Sequence, residues 1–450
     1  MAYFEFFVNF YMIYSEIGKN VFLYYNKAGR PILDFLHTVF DSLFYVLLFI
    51  TVLISFIYIF MSVSSLFSKR KTSEEKFLPE EAPTVTVQIP TYNEIVALRC
   101  AQKCLDFDYP AEKFDIIIGD DSNNPEISKR IDEFSATNPK VSVSRRGSNI
   151  GYKSGNLNYM LSQSKGDIIV VFDSDFMPKM DFLKRLVTPF IYDKELSGTQ
   201  ARWKFIDRNK NMVSLLGSTI VTVFHQICLP FISRKANISF LCGSAEAVRK
   251  KDLIEFGGWS TGSLTEDIEF SLKLIKKGKR IRYLDSLSCF GEVPYTAEDL
   301  NRQQMRWAYG VIHAFKSHFR ELYSSNLTTF REKMLTSFFC SGYLLSFLLL
   351  LLFISGTLSF ITHPPGPLNL VLFLSKMSIN IILTSGVIVA SIFALYKSKN
   401  MKKVVSMLVS SFSFGLLVTY YVNIGIFKAF MNRPMQWFML NKAGNLKQSF

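Results

Sequence analysis

An α/β domain with a mostly parallel sheet, flanked by transmembrane and interfacial helices, is the fold class that this 450-residue sequence predicts. Three observations lead to it. Long uncharged apolar runs lie towards both ends, short β-rich runs alternate with helical stretches between them, and acidic clusters fall where those strands end. The composition agrees, with 49% hydrophobic residues, 43 Phe and only 20% charged residues. Disorder, collagen-like repeats and a polyelectrolyte tail are thereby excluded as descriptions of the whole. The formal net charge of +14 suits nucleic acid, anionic lipid headgroups or phosphate-bearing substrates, and charge alone does not choose among them. The six cysteines form no C-x-x-C pair and no zinc-spaced cluster, which argues against a metal-stapled or disulfide-built domain and for a reducing compartment.

Residues 1–40 form an aromatic, amphipathic segment that pattern alone does not place. A transmembrane helix is expected over 41–67, because 42–67 contains no Asp, Glu, Lys or Arg and exceeds the roughly 20 residues that span hydrocarbon. It lies too far from the N-terminus, and runs too long, for a cleaved signal peptide. Lys69, Arg70, Lys71 and Lys76 follow it and mark that flank as cytoplasmic. Residues 68–297 read as a cytoplasmic domain with strands at 84–89, 114–119, 141–145 and 167–172 and helices near 94–105, 125–134 and 155–163, a βαβ rhythm. Interfacial helices are expected over 298–333 and two transmembrane helices over 334–396, separated by the break His363-Pro364-Pro365-Gly366-Pro367. The link 397–403 carries four lysines and belongs in the cytoplasm. Were 404–427 to cross the bilayer, Lys428, Arg433, Lys442 and Lys447 would lie outside, so 397–450 is read as an interfacial or re-entrant helix followed by a cytoplasmic tail.

The chemistry-bearing motifs follow the strands. Gln88-Ile89-Pro90-Thr91-Tyr92-Asn93-Glu94 ends the first strand and Gly119-Asp120-Asp121-Ser122-Asn123 the second; singly, each is as compatible with turn capping as with binding. Phe172-Asp173-Ser174-Asp175 follows the aliphatic run Ile168-Ile169-Val170-Val171. A turn at Ser174 lets both carboxylates reach a hard divalent cation, although an isolated pair of this kind is more often a solvated strand end. Leu264-Thr265-Glu266-Asp267 opens a helix, with Thr265 or Ser263 as N-cap and the acids favoured by the helix dipole. A carboxylate held there can also act as a general base. In Gln303-Gln304-Met305-Arg306-Trp307, helical spacing brings Gln303, Arg306 and Trp307 to one face or its edge. Arg can grip a phosphate and indole can stack on a sugar, while a membrane interface is enriched in the same residues.

Taken together and in this order, the motifs resemble those of the processive membrane β-glycosyltransferases of glycosyltransferase family 2: cellulose synthases, cellulose-synthase-like mannan synthases and hyaluronan synthases. The first Asp motif, D-x-D, T-E-D and Q-x-x-R-W are all present, within a resemblance covering 85–310 that includes 151–158, 198–203 and Gly243-Ser244-Ala245. The resemblance implies a GT-A type nucleotide-sugar-binding domain and inverting transfer from a UDP- or GDP-linked sugar to a growing β-linked polysaccharide. It implies Thr91, Tyr92 and Glu94 at the base, Asp120 or Asp121 at the nucleoside, Lys153 at the donor end, and Asp173 and Asp175 on Mg2+ or Mn2+. It further implies Asp267 as general base beside Glu266 and Thr265, Gln303 and Arg306 at the diphosphate, and Trp307, Gly243 and Ser244 at the acceptor. The partners implied are a nucleotide sugar, a glycan or glycolipid acceptor and membrane lipid, in a multi-pass cell-membrane protein whose catalytic domain is cytoplasmic.

Two positions depart from the pattern. Cys242 stands where the family often has Asn, and Met435-Gln436-Trp437-Phe438-Met439-Leu440-Asn441-Lys442 resembles a gating segment without its usual Thr. The spans expected here also leave little wall for a closed polymer channel. A lipid glycosyltransferase adding one sugar to a diacylglycerol, ceramide-like or polyprenyl acceptor shares these motifs, and product length separates the two readings. A non-enzymatic scaffold or nucleotide sensor would carry substituted catalytic acids, and all are intact. No basic-aromatic nucleic-acid module accompanies the charge.

Overall fold

The computed structural model describes residues 16–17, 19–20, 30–67, 75–206, 209–363 and 369–446. The basic flank Lys69-Arg70-Lys71, most of the Pro-rich break, Lys447 and most of the segment before residue 30 lie outside the described residues.

The chain divides into two compact units, one of Met61–Tyr343 with Ala390–Phe450, the other of Met1–Phe60 with Leu344–Val389. The larger unit is built on a seven-stranded sheet of order β3-β2-β1-β4-β6-β5-β7. Its strands are β1 (Val85–Thr91), β2 (Phe114–Asp120), β3 (Val141–Ser144), β4 (Ile168–Val171), β5 (Leu196–Phe205), β6 (Glu246–Arg249) and β7 (Arg280–Gly291). β1, β2, β3 and β4 pair in parallel, as do β5 and β7, whereas β6 runs antiparallel to β4 and β5. Unbroken aliphatic runs suit strands covered on both faces, and their residues divide by alternation. Ile116, Ile118, Ile168 and Val170 enter one core with Phe172 and Phe182; Ile117, Ile169 and Val171 enter the other with Leu157, Trp259 and Phe270.

This topology decides where chemistry can occur. Thr91 is paired with Asp120 at the carboxyl ends of β1 and β2, and Val171 at the end of β4 is paired with Glu246 at the start of the reversed β6. One edge therefore collects the loops after three parallel strands together with the turn that enters β6.

The sequence pattern did not show β5 or β6. Another difference concerns Met212–Ala236, which is long and apolar enough to cross a membrane yet is mostly buried within the domain. Its apolar character serves the core, and it passes through a π-helical turn at Phe224–Cys228. Helix Ala297–Ser324, which carries Gln303 to Trp307, packs along Phe414–Phe430. The approach is close: a Cβ on Gly425 would come 2.4 Å from the Met305 carbonyl oxygen.

Among the described residues, Arg30–Phe67 and Leu344–Thr362 are also long and apolar enough to cross a membrane. The first begins well before the uncharged run at 42, and at 1.5 Å per residue its 38 residues reach roughly 57 Å, beyond the hydrocarbon core. Within the smaller unit His37 Nδ1 lies 3.0 Å from the Ser359 carbonyl, and the Ser359 hydroxyl donates to Asp41 at 3.0 Å. The run 368–396 is bent by 53° between Leu370–Leu383 and Gly386–Lys397, at a Ser385-Gly386 step. The run 404–427 belongs to a second bent pair, Met401–Phe412 and Phe414–Phe430, with 51° between its halves.

Candidate functional site

At the shared carboxyl edge lies a cleft of about 1380 Å³, open to solvent. Fourteen of the sixteen residues that the motifs single out line it: Thr91, Tyr92, Glu94, Asp121, Lys153, Asp173, Asp175, Gly243, Thr265, Glu266, Asp267, Gln303, Arg306 and Trp307. Asp120 and Ser244 do not.

The first corner follows β1 and β2. Adjacent strand-end residues point to opposite sides, so only one of the two acids reaches the cleft. Asp121 lines it and is gripped by Arg146, at 2.9 Å from Nε and 2.5 Å from a terminal nitrogen. Asp120 instead accepts from Arg145 Nε at 2.8 Å, the Ser128 hydroxyl at 2.7 Å and the Ser122 N–H at 3.0 Å. Burial pushes its carboxyl up, but these donors outweigh burial and leave it below the usual range. Tyr92 and Tyr152 enclose Trp437 of the tail, the indole stacked on Tyr152 at 5.9 Å and edge-on to Tyr92 at 6.2 Å. The Thr91 hydroxyl is already engaged by the Glu94 carbonyl at 3.1 Å.

In the second corner the two acids of the D-x-D motif separate. Asp173 meets Lys153 at 2.7 Å, and that ammonium also reaches the Gly243 carbonyl at 2.6 Å and Glu266 at 3.4 Å. Burial alone would lower the Lys153 pKa; Asp173 and Glu266 more than reverse this and raise it. Asp175 pairs with Lys442 of the tail at 2.8 Å and accepts the Glu292 N–H at 2.8 Å. Lys442 also contacts Glu94 at 2.9 Å and the Ser174 hydroxyl at 2.7 Å, and Ser174 in turn donates to Glu94. Glu94 is nevertheless pushed up by burial. Glu94, expected at the nucleoside base, thus helps to hold a lysine. Among the described residues no three acids, thiols or imidazoles converge as a ligand set, and the metal expectation rests on Asp173 and Asp175 alone.

The third corner is formed where Glu266–Lys276 begins. Burial, then repulsion from Glu266, push the Asp267 carboxyl up to about 7 against the pull of Lys153. Thr265 occupies the N-cap position but makes no capping bond. Its buried hydroxyl has no hydrogen-bond partner, and a Cβ on Gly310 would meet its methyl at 2.5 Å. Ser263 accepts the Thr265 N–H at 3.3 Å instead. Arg306 donates to the Leu264 carbonyl at 3.3 Å, which couples the Q-x-x-R-W helix to the T-E-D turn.

Ser244, expected at the acceptor, lies fully buried behind the wall. Its hydroxyl accepts the Asp173 N–H at 2.9 Å, and its carbonyl accepts from Trp203 Nε1 at 2.9 Å and Gln200 Nε2 at 3.0 Å. Sequence reasoning missed Gln200, Trp203, Glu246 and the seating of Trp437 and Lys442. Glu246 had no signal of its own; Gln200 and Trp203 lay in the matching stretch 198–203, and Trp437 and Lys442 in the segment that resembles a gating sequence.

A mixed α/β sheet whose strand ends gather these acids and basic residues has the architecture of a ligand-binding α/β enzyme, and the chain's family is shown by comparison with known proteins. It belongs to Glycosyl transferase family group 2, whose pattern matches residues 168–441. Two Arabidopsis thaliana proteins are similar in sequence. Probable glucomannan 4-beta-mannosyltransferase 1 is 26% identical over 253 residues, covering 54% of this chain and 46% of that protein. Glucomannan 4-beta-mannosyltransferase 7 is 29% identical over 268 residues, covering 57% and 48% respectively. The chain thus spans about half the length of these relatives. In three dimensions it is similar to the mannosyltransferase PcManGT of Pyrobaculum calidifontis, solved in complex with GDP-Man and Mn2+. The TM-score is 0.58 at 17% identity, over 81% of this chain and 99% of that one, a likeness of GT-A type fold.

Proposed function

We propose that the protein is a membrane-embedded, inverting glycosyltransferase that moves a sugar from a nucleotide-diphosphate sugar to a growing β-linked polysaccharide. The observation that carries this reading is the placement of Asp267, a buried carboxylate raised to about 7, in the same cleft as Lys153, Asp173, Arg306 and Trp307. The names of the relatives point to mannosyl transfer into glucomannan, and GDP-mannose, the nucleotide sugar bound by the similar Pyrobaculum mannosyltransferase, is the first donor to test, with UDP-glucose beside it. Nothing in the relatives favours the single-sugar lipid reading.

In this mechanism Tyr92 and Asp121 bind the nucleoside, while Lys153, Gln303 and Arg306 brace the diphosphate. Trp307 supports the acceptor sugar. Asp267 takes the proton of the acceptor hydroxyl as its oxygen attacks the anomeric carbon; the bond to the diphosphate breaks on the opposite face, giving inversion. Asp173 and Asp175 offer the hard oxygen ligands that Mg2+ or Mn2+ takes, and the Asp173 side chain keeps 29% exposure. When bound, such an ion supplies positive charge that stabilises the departing diphosphate. The apolar helices and the lysine-rich link support a multi-pass protein with this domain in the cytoplasm.

The test is incubation of full-length protein in nanodiscs with radiolabelled GDP-mannose or UDP-glucose. The proposal expects label in ethanol-insoluble polymer that an endo-β-glycanase releases. Label confined to the organic-soluble fraction, or none from either donor, overturns it.

A further inference from the structure

Residues 241–245 form a turn beneath the cleft that touches three groups of the site. The Gly243 carbonyl accepts from Lys153 at 2.6 Å, and the Ser244 hydroxyl accepts the Asp173 N–H at 2.9 Å. A Cβ added at Gly243 would lie 3.3 Å from Asp267 Oδ2, so the backbone passes close beside that carboxylate. The turn is an unusual one. Gly243 has φ of +83°, and Ala245, which has a side chain, has φ of +54°. A non-glycine residue in this left-handed region persists only where its surroundings over-determine it.

Glu246 supplies much of that determination. It is the first residue of β6 and 1% exposed, and a single oxygen, Oε2, accepts the N–H of Cys242 at 2.9 Å and of Gly243 at 2.7 Å. Successive N–H groups converging on one point form a small concavity that favours an acceptor oxygen, here filled by the chain's own Glu246 side chain. From the other side Gln200 Oε1 accepts the same Cys242 N–H at 2.7 Å. No motif marks Glu246, and the mechanism above gives it no contact with donor or acceptor.

We infer that Glu246 is a positioning residue: its side chain holds the turn 242–245 in the shape that sets Lys153, Asp173 and Asp267 against one another. This rests on the transferase reading, since the turn matters only if those three groups act together. The role is one of acceptor geometry, so an oxygen at the same reach preserves it and an apolar side chain of similar size does not.

Full-length wild-type, Glu246→Gln and Glu246→Leu proteins separate this role from general stability. Hydrogen exchange is followed at the amides of Cys242 and Gly243 without ligand, and transfer is measured with GDP-mannose and UDP-glucose. Glu246→Leu is expected to speed exchange at least tenfold at the Gly243 amide, with a smaller change at Cys242, whose N–H keeps Gln200 as acceptor, leaving β1 and β2 unchanged. It should also lower kcat at least thirtyfold. Glu246→Gln is expected to restore protection and bring kcat back to within threefold of wild type. Should Glu246→Leu fail to fold, Glu246→Asp, one methylene too short to meet both N–H groups, replaces it with the same outcomes required. Wild-type protection or wild-type kcat in the shortened or apolar variant overturns the inference. So does an equal loss of kcat in Glu246→Gln with both amides still protected. If wild-type protein transfers neither sugar, the transferase reading falls, while the exchange measurement still decides what Glu246 holds.

Discussion

The ammonium of Lys442 lies 2.8 Å from Asp175, joining the tail of the chain to the second acid of the D-x-D motif. Burial pushes the Asp175 carboxyl up, but the Lys442 charge and bond outweigh it, and Asp175 is held below the usual carboxylate range. The segment around Lys442 is pinned at several points. Asn441 donates to Asp299 at 3.1 Å, the Gly444 N–H donates to Glu292 at 3.0 Å, and Asn445 accepts the Val96 N–H at 3.1 Å.

A lysine ammonium and a divalent cation on Asp175 compete for the same oxygens. Lys442→Gln is therefore expected to tighten Mn2+ binding at least threefold in the presence of GDP, measured from the free-ion paramagnetic resonance signal. An unchanged dissociation constant would show that the two cations do not share this carboxylate.

The raised Asp267 carboxyl makes a pH prediction. Only its ionised form accepts a proton, so transfer should fall as pH drops through about 7, the value to which burial and Glu266 raise it. Two units lower, the base form is down roughly a hundredfold, and the rate with it. A kcat/KM profile that stays flat from pH 5 to 8 contradicts Asp267 as the base.

Trp307 distinguishes elongation from donor turnover. Loss of a stacking platform worth about 1 kcal/mol per sugar should cut polymer yield several-fold in Trp307→Ala. Hydrolysis of the donor by water should change little, because Lys153, Asp173 and Asp267 remain. Unchanged polymer length and yield would remove Trp307 from the acceptor path.

The parallel half of the sheet was legible because buried parallel strands leave aliphatic runs such as 168–171, which few other environments tolerate. β6 was not, because its four residues include a buried Glu246 and Arg249, whose guanidinium is satisfied by carbonyls such as that of Leu196 at 2.7 Å. Such partners come from distant parts of the chain and leave no local period. The site divides in the same way. Strand ends placed Asp120, Asp121 and Asp173 at one edge without separating the first two, whereas Asp267 was tied to them only by the resemblance of its motif. Asp120 and Ser244 differ from their neighbours only in which way the side chain turns, and that is set by Arg145 and by the Asp173 backbone.

The central claim is that Asp267 takes the proton of the acceptor hydroxyl. Asp267→Asn keeps the volume of the side chain and removes its capacity to accept that proton, so single-turnover transfer from a bound, radiolabelled nucleotide sugar tests the claim directly. The account predicts a loss of roughly 10²–10⁴-fold in transfer, with GDP affinity within threefold of wild type. Transfer near the wild-type rate in Asp267→Asn would contradict it.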